Sequence, residues 1–281
     1  MKKACAVIFG LLLFLLLISA VIALSEKTSL RDKVAVVRIE GPILDSKNAI
    51  EEIKGYVKEN SVKAIVIRVD SPGGAVAPSQ EIYEEIKKAV SSKKVVASMG
   101  SVAASGGYYI AAAAPKVFAN PGTLTGSIGV IMEIPNIEGL MDKIGVKTEV
   151  VKSGRHKDLA SMFRKMGGEE RQILQDVLDD VHEQFINAVS EARKLPIEDV
   201  RALADGRVFT GRRAKELGLV DELGNLEDAI MAAAKLAGIK GEPEVVTKKQ
   251  KFSIIDMLRG DISGRLNDVI PSIKLKYMLT P

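Results

Sequence analysis

Residues 95–114, VVASMGSVAASGGYYIAAAA, constrain the fold of this chain more than any other stretch. They begin as a buried β-strand, are predicted to break at Gly100, and continue as an alanine-rich run typical of a packed helix. Ser105 falls at the junction and is followed by Gly106 and Gly107. Its hydroxyl is expected near free N–H groups at a helix start, where the glycines leave room for another backbone. A nucleophilic serine needs such a setting, although small residues also let a helix pack closely on a sheet.

Strands and helices alternate along most of the chain. The near-continuous apolar run AIVIRV at residues 64–69 is typical of a strand buried on both faces of a parallel sheet. This alternation predicts βαβ units and an α/β fold with a mainly parallel sheet. The predicted strands lie at residues 34–39, 64–69, 95–97, 117–119 and 148–151. The predicted helices lie at 46–59, 80–90, 137–144, 169–193, 211–217 and 226–237, with a shorter helix ending near 204.

The composition excludes several functional classes. The net charge is only +4 over 281 residues, and aromatic residues make up 4% with no tryptophan, so a nucleic-acid partner is not expected. The single cysteine, Cys5, excludes an internal disulfide and a cysteine-rich metal site. With two histidines in the chain, we expect no metal and no organic cofactor.

An uncharged apolar run at residues 4–24 follows Lys2 and Lys3. About twenty such residues are needed to cross a bilayer, so this run predicts a retained single-pass anchor. The two lysines would keep the N-terminus in the cytoplasm and place the folded part outside the cell membrane. A cleavable signal peptide, cut after residues 21–23, is the alternative, but its apolar core is usually only about 7–15 residues long. Residues 25–33 are expected to form a polar linker.

A nucleophilic serine needs a base, and the residues offer more than one. His182 lies next to Glu183, beside the apolar stripe of the long predicted helix, as a solvated residue would. His156 lies in SGRHKD at residues 153–158, just after a predicted strand. Its neighbour Lys157 is the other candidate, since burial among apolar walls can keep a lysine amine neutral. The residues alone leave His156 and Lys157 open.

The sequence DSPGG at residues 70–74 follows a buried strand and precedes a helix. Loops at the carboxyl ends of parallel strands are where α/β proteins bind ligands. The backbone N–H groups of Gly73 and Gly74 could therefore face a developing oxyanion, although Pro-Gly also makes plain turns. No Gly-Lys-Ser/Thr sequence follows, so a phosphate loop fits poorly.

Five ordered motifs carry a resemblance to a known family: DSPGG at 70–74, MGSVAASGGYYIA at 99–111, LTGSIGV at 124–130, SGRHKD at 153–158 and DGRVFTG at 205–211. Together they resemble signal peptide peptidase A in its short form, serine peptidases of family S49 with the Clp/crotonase fold. The resemblance covers residues 34 to about 237. It implies a fold of repeated ββα units, behind an N-terminal transmembrane helix.

The resemblance also implies the roles of individual residues. By motif, Ser105 matches the nucleophile, Lys157 the general base and Ser127 the serine that orients this lysine. Gly73 or Gly74 matches the oxyanion-hole glycine, and the N–H group of Gly106 is expected to assist it. The tail at 273–279, with Tyr277, resembles a C-terminal segment of the family that can lie in a neighbouring protomer's groove.

The expected organisation is an anchor at 1–24, a linker at 25–33, a peptidase domain at 34–240 and a C-terminal arm at 241–281. The resemblance implies homo-oligomers, expected as octamers, in which the serine and the lysine of one site come from adjacent protomers. The expected substrates are cleaved signal peptides and other apolar peptides. Two alternatives remain: a crotonase-type acyl-CoA enzyme, and a membrane scaffold of the same fold without catalysis.

Overall fold

Strands and helices alternate along the computed structural model, which describes residues 11, 13–19, 32–248 and 276–278. The strands are β1 (Lys33–Glu40), β2 (Val62–Ser71), β3 (Gly73–Ala75), β4 (Lys94–Ala104), β5 (Val117–Ala119), β6 (Leu124–Gly126), β7 (Val208–Thr210), β8 (Glu222–Leu223), β9 (Glu244–Thr247) and β10 (Lys276–Met278). The helices are α1 (Lys47–Lys58), α2 (Val76–Val90), α3 (Gly106–Ala112), α4 (Glu138–Lys143), α5 (Gly168–Arg193), α6 (Ile197–Leu203), α7 (Gly211–Glu216) and α8 (Leu226–Leu236).

The main sheet has the strand order β7-β6-β4-β2-β1-β9, with β5 paired to β4 and β8 paired to β5. Its pairs are parallel except for β6 with β7, which are antiparallel. The predicted α/β class is therefore confirmed, with a mixed sheet. The β2–β3–α2 and β5–β6–α4 successions follow the ββα order.

Both faces of the sheet are covered. Alternate residues of β2 point to opposite sides, as the strand period of two requires. Ile65 and Ile67 belong to the larger core on the face covered by α2, α3 and α5. Ala64 and Val66 belong to a smaller core against α8. A strand apolar on both sides is the signal that the sequence gives at residues 64–69, and burial on both faces is its cause.

Strand β4 is longer than predicted and divides between two partners. Its first half pairs with β5 and its second half with β6, so the sheet forks along it. The predicted break at Gly100 is wrong, because the strand continues to Ala104. A Cβ atom on Gly100 would lie 2.5 Å from Cγ of Asp70, so glycine serves close packing there rather than a turn. The longer strand carries Ser105 to the edge of the sheet.

Two further predictions need comment. The strand predicted at 148–151 is wrong: these residues form no regular element and are exposed, Val151 fully so. Most of the apolar run at 4–24 lies outside the described residues, although residues 13–19 are helical. Within the described part of the chain, no helix combines the length and apolarity that crossing a membrane requires.

Candidate active site

Ser105 lies between the end of β4 and the first turn of α3, and only 1% of it is exposed. Its backbone has φ 54° and ψ −119°, a conformation that residues other than glycine rarely adopt. Two backbone bonds hold it there: Ser105 N donates to Gly126 O at 2.8 Å, and Tyr109 N donates to Ser105 O at 2.8 Å. A strained backbone held from both sides is typical of a functional residue.

Glycines from two distant segments meet beside Ser105. A Cβ atom on Gly73 would lie 2.8 Å from Gly106 N, and one on Gly106 would lie 3.3 Å from Gly74 N. Gly73 has φ +101°, and its N–H group donates to Ser71 Oγ at 3.1 Å. The structure therefore brings together the three glycines that the sequence singled out. The backbone at this buried edge offers N–H groups of the kind that stabilise an oxyanion, and that of Gly73 is bonded to Ser71 in this structure.

The C-terminal strand β10 runs along this glycine edge. It pairs antiparallel with β3, and Tyr277 is the partner of Gly74. The carbonyl oxygen of Tyr277 lies 2.0 Å from the Cβ position of Gly73 and 3.2 Å from that of Gly106. We call this site along β3 the β3 groove. β10 thus occupies this groove by strand addition, with one carbonyl beside the glycines.

The side chain of Tyr277 fills a fully buried aromatic pocket at the β3 groove. Its ring stacks on Tyr109 at 5.4 Å between centroids and tilts against Phe185 at 4.7 Å. Its hydroxyl donates to Val181 O at 3.1 Å. Burial raises the pKa of Tyr277, and it raises the pKa of Tyr109 to about 12. The Tyr277 phenol is therefore neutral and acts as a hydrogen-bond donor in this pocket.

Ser127 lies one residue beyond the carbonyl that holds Ser105. It follows β6, is 7% exposed and has φ +52°. Its N–H group donates to Arg207 O at 2.8 Å, which ties it to the segment before β7. The pairing of Ala104 with Gly126 places the two serines at the ends of adjacent strands.

Lys157 stands apart from these residues. It belongs to residues 152–167, an irregular segment between β6 and α5 that we call the lysine arm. Its side chain is exposed, and its N–H group donates to Gly154 O at 3.1 Å in a turn. Within the described residues, no hydrogen bond or ion pair joins the Lys157 amine to Ser105 or Ser127. One chain therefore builds the serine and the glycine edge, but does not bring the lysine to them.

The two histidines lie outside the Ser105 site. Nε2 of His156 is 3.6 Å from Glu169 Oε1, and its Nδ1 is buried without a partner among the described residues. His182 was expected to be solvated, but the structure shows it half-buried, with its Nε2 shielded from water. Neither histidine hydrogen-bonds to Ser105 in the described part of the chain.

An ion-pair cluster next to Lys157 was not anticipated from the sequence. Arg164 Nε donates to Asp158 Oδ2 at 2.9 Å, and Nη1 donates to Glu170 Oε2 at 2.8 Å. Arg164 and then Lys152 hold the pKa of Asp158 well below its usual range. Arg164, together with the N–H group of Gly167, lowers the pKa of Glu170 to about 2. The sequence showed only scattered charges here, since three of these residues lie on an arm without helical or strand periodicity.

The tyrosine pocket was also missed, although Tyr277 itself was noted. Its members come from α3, α5 and the C-terminus, and the hydrogen bond from Tyr277 to Val181 spans 96 residues. The apolar stripe of the long helix includes Val181 and Phe185, which contribute to this pocket. No local pattern distinguishes a core side chain from one that lines a pocket.

Comparison with known proteins agrees with the fold and with a peptidase. The sequence model of Clp protease matches residues 31–125, and that of peptidase family S49 matches residues 87–240. Both matches include Ser105, and Lys157 lies in the second. The Clp protease-like α/β fold with this serine site defines a serine-type endopeptidase. The chain belongs to peptidase family S49, of the signal peptide peptidase A type.

Individual relatives cover different shares of their own length. A protein of Synechocystis sp., provisionally named a protease, is 48% identical over 214 residues, which are 76% of this chain and 77% of the relative. Protease 4 of Salmonella typhi is 36% identical over 85% of this chain and 40% of its own length. The chloroplastic serine protease SPPA of Arabidopsis thaliana is 33% identical over 82% of this chain and 36% of its own length. The chain thus spans less than half of the latter two relatives.

Proposed function

We propose that this chain is a membrane-anchored serine endopeptidase that uses Ser105 and Lys157 as a catalytic dyad on extended apolar peptides. The occupied β3 groove carries this proposal. A strand of the chain itself lies along β3, with the Tyr277 carbonyl beside Gly73 and Gly106 and next to the buried, strained Ser105. A substrate bound in this way would present a peptide carbonyl to the serine.

In the proposed mechanism, Ser105 Oγ attacks the carbonyl carbon while the neutral amine of Lys157 takes its proton. The N–H groups of Gly73 or Gly74 and of Gly106 stabilise the oxyanion of the tetrahedral intermediate. Collapse of the intermediate breaks the C–N bond, and Lys157 returns the proton to the leaving amine. Water then hydrolyses the ester to Ser105, with the lysine again acting as the base. Ser127 orients the amine.

Completion of the dyad between protomers follows from the separation of its two members. Ser105 is buried at the edge of the sheet, whereas Lys157 is exposed on the lysine arm. A homo-oligomeric ring, expected to be an octamer, would let the arm of one protomer reach the serine of the next. Such contacts are heterologous, so each protomer would give one serine and one lysine to different sites.

Substrate class and location follow from the pocket and the sequence. The aromatic pocket accepts a large apolar side chain, and β3 accepts an extended backbone, which suits the remnants of cleaved signal peptides. The apolar run at 4–24 supports a single-pass anchor in the cell membrane, with the catalytic domain outside the cytoplasm. An anchored enzyme would lie close to apolar segments released from translocated proteins.

Subunit mixing tests this proposal. Ser105→Ala and Lys157→Ala are each expected to be inactive on an apolar reporter peptide. In rings assembled from equal amounts of both variants, a site is complete when its serine comes from a Lys157→Ala copy and its lysine from a Ser105→Ala copy. Random mixing should restore about a quarter of the wild-type activity. No recovery in verified mixed oligomers would refute sharing, and full activity of Lys157→Ala would refute the dyad and favour His156.

A further inference from the structure

The lysine arm has little backbone structure of its own around Lys157. Its backbone bonds there are those of successive turns: Lys157 N to Gly154 O at 3.1 Å, Leu159 N to His156 O at 3.1 Å and Ser161 N to Asp158 O at 3.0 Å. No helix or strand includes these residues. Beyond these turns, Ile137 N donates to Met162 O at 2.8 Å and ties the arm five residues after Lys157. Around Lys157 itself, side-chain contacts fasten the arm to α5.

Arg164 makes most of those contacts. On the arm, it binds the side chain of Asp158 at 2.9 Å through Nε, and the Asp158 carbonyl at 3.3 Å through Nη2. On α5, both of its terminal nitrogens bind the carboxylate of Glu170. Glu170 in turn accepts the N–H of Gly167, the N-cap residue of α5, at 2.9 Å. A bidentate arginine pair is directional, so it fixes geometry as well as charge.

Other charged groups lie along the arm and at the start of α5. On the arm, Lys152 also pairs with Asp158, and Arg155 lies two residues before Lys157. From α5, Glu169 pairs with Arg155 and lies near His156. Each carboxylate in this cluster therefore has a cationic neighbour. Asp158 has two, although it is adjacent in sequence to the one lysine that must lose its proton.

We propose that Arg164, by joining Asp158 to Glu170, is a positioning residue that fixes Lys157 on the arm and offsets the charge of Asp158 beside it. This inference rests on the proposed role of Lys157 as the base. A carboxylate without a counter-charge favours the charged form of a nearby amine, and a cation disfavours it. Arg164 therefore contributes in two ways, through geometry and through charge.

The two contributions separate in a set of variants. Arg164→Gln removes one of the cations that offset the negative charge of Asp158, which favours the charged form of the Lys157 amine. The acidic limb of the kcat/KM profile against pH should therefore move to higher pH by about 0.5 to 1 unit. Asp158→Asn should move the limb in the opposite direction by a similar amount. The double variant should return the limb close to its wild-type position. Arg164→Lys keeps the charge without the planar fork, so kcat should fall with little movement of the limb.

The β3 groove does not involve this cluster, so KM for a short peptide should stay unchanged in all four variants. Arg201→Gln is the matched control, because Arg201 makes the same bidentate pair with Glu183 further along α5. The control should change neither kcat nor the limb.

Two results would overturn the inference: a limb that moves in none of the variants, or equal losses of kcat in Arg164→Gln and Arg201→Gln. Lys157→Ala, measured alongside, separates the two proposals. If it remains active, the dyad itself is wrong. If it is inactive while the limbs of the other variants stay in place, only the positioning role fails.

Discussion

The carbonyl oxygen of Tyr277 lies 2.0 Å from the point that a Cβ atom on Gly73 would occupy. Gly73 also has φ +101°, a conformation that residues with a side chain rarely adopt. Space and backbone conformation therefore demand glycine at the same position. The peptide that fills the β3 groove is in direct contact with the edge that would stabilise the oxyanion.

Gly73→Ala should consequently lose activity while the fold is retained. The new methyl group would occupy the place of the substrate carbonyl and disturb the N–H groups beside it, so kcat should fall about 100-fold or more. Steady-state kinetics and circular dichroism would measure the two effects separately. Gly122→Ala is the control, because its Cβ atom would meet nothing within 4 Å. Equal activity in the two variants would contradict the oxyanion assignment.

The strained backbone of Ser105 should lower the stability of the folded chain. Its φ of 54° and ψ of −119° are easier for glycine than for serine or alanine. Ser105→Gly and Ser105→Ala should both be inactive, but the glycine variant should be more stable than the alanine variant by about 1 kcal/mol. Denaturant unfolding and labelling with a fluorophosphonate would test both points. An alanine variant as stable as the glycine variant would mean that the backbone is not strained.

Removal of the tyrosine from the β3 groove should ease substrate binding. Tyr277 occupies the pocket as a competitor tethered to the enzyme, with an effective concentration near the millimolar range. Tyr277→Ala should lower KM for a short apolar peptide about tenfold while kcat stays the same. Tyr277→Phe keeps the ring and should lower KM less. A KM unchanged in Tyr277→Ala would show that the tail does not compete in solution.

The pocket should also set the preference for the residue before the cleaved bond. A tyrosine at that place can donate to Val181 O and contact Tyr109 and Phe185, as Tyr277 does. Loss of one neutral hydrogen bond costs about 0.5–1.5 kcal/mol, so phenylalanine should be cleaved about 3–10-fold less efficiently. Alanine should be worse by about 100-fold in kcat/KM. Peptides that differ only at this residue would measure the order.

The Glu170 pair should stabilise the protein in a pH-dependent way. The pKa of Glu170 falls from 4.5 to about 2 in the folded chain, because Arg164 and the Gly167 N–H favour the carboxylate. A lowered folded-state pKa gives stability that is present above pH 4.5 and lost as the pH falls toward 2. Wild type should therefore exceed Glu170→Gln in unfolding free energy at pH 6, with the difference vanishing near pH 2. A difference that does not depend on pH would exclude the charge pair as its source.

Much of the sheet was predictable from the sequence because burial on both faces leaves a continuous apolar signal. Strands β1, β2 and β5 and helices α1, α5 and α8 lie within a few residues of their predicted bounds. The error at Gly100 arose because a residue distant in sequence determines what fits there. Gly100 was read as a break, but it accommodates Asp70. Thr148, Val150 and Val151 are residue types common in strands, yet residues 148–151 are exposed.

The candidate site was predictable to the same extent. Small residues at strand ends pointed to Ser105 and the glycine edge, and the family resemblance added Ser127. The structure gathers these residues at the fork of β4. The tyrosine pocket and the Arg164 contacts could not be predicted, because side chains from separate elements meet there. The role of Lys157 could not be derived either, since one chain leaves it away from Ser105.

Strand β3 has three residues, and one flank is already occupied by Ile43, whose N–H donates to Gly73 O at 2.9 Å. Only the other flank is left for a further strand. In this structure β10 pairs there, which shows that this flank accommodates a single strand. A peptide that binds there must therefore have backbone N–H and C=O groups that are not already hydrogen-bonded. Natively folded proteins offer such groups mainly along exposed edge strands, so most of their segments would escape cleavage without any recognition tag. Selectivity for unfolded segments would then come from the lack of regular structure in the substrate itself.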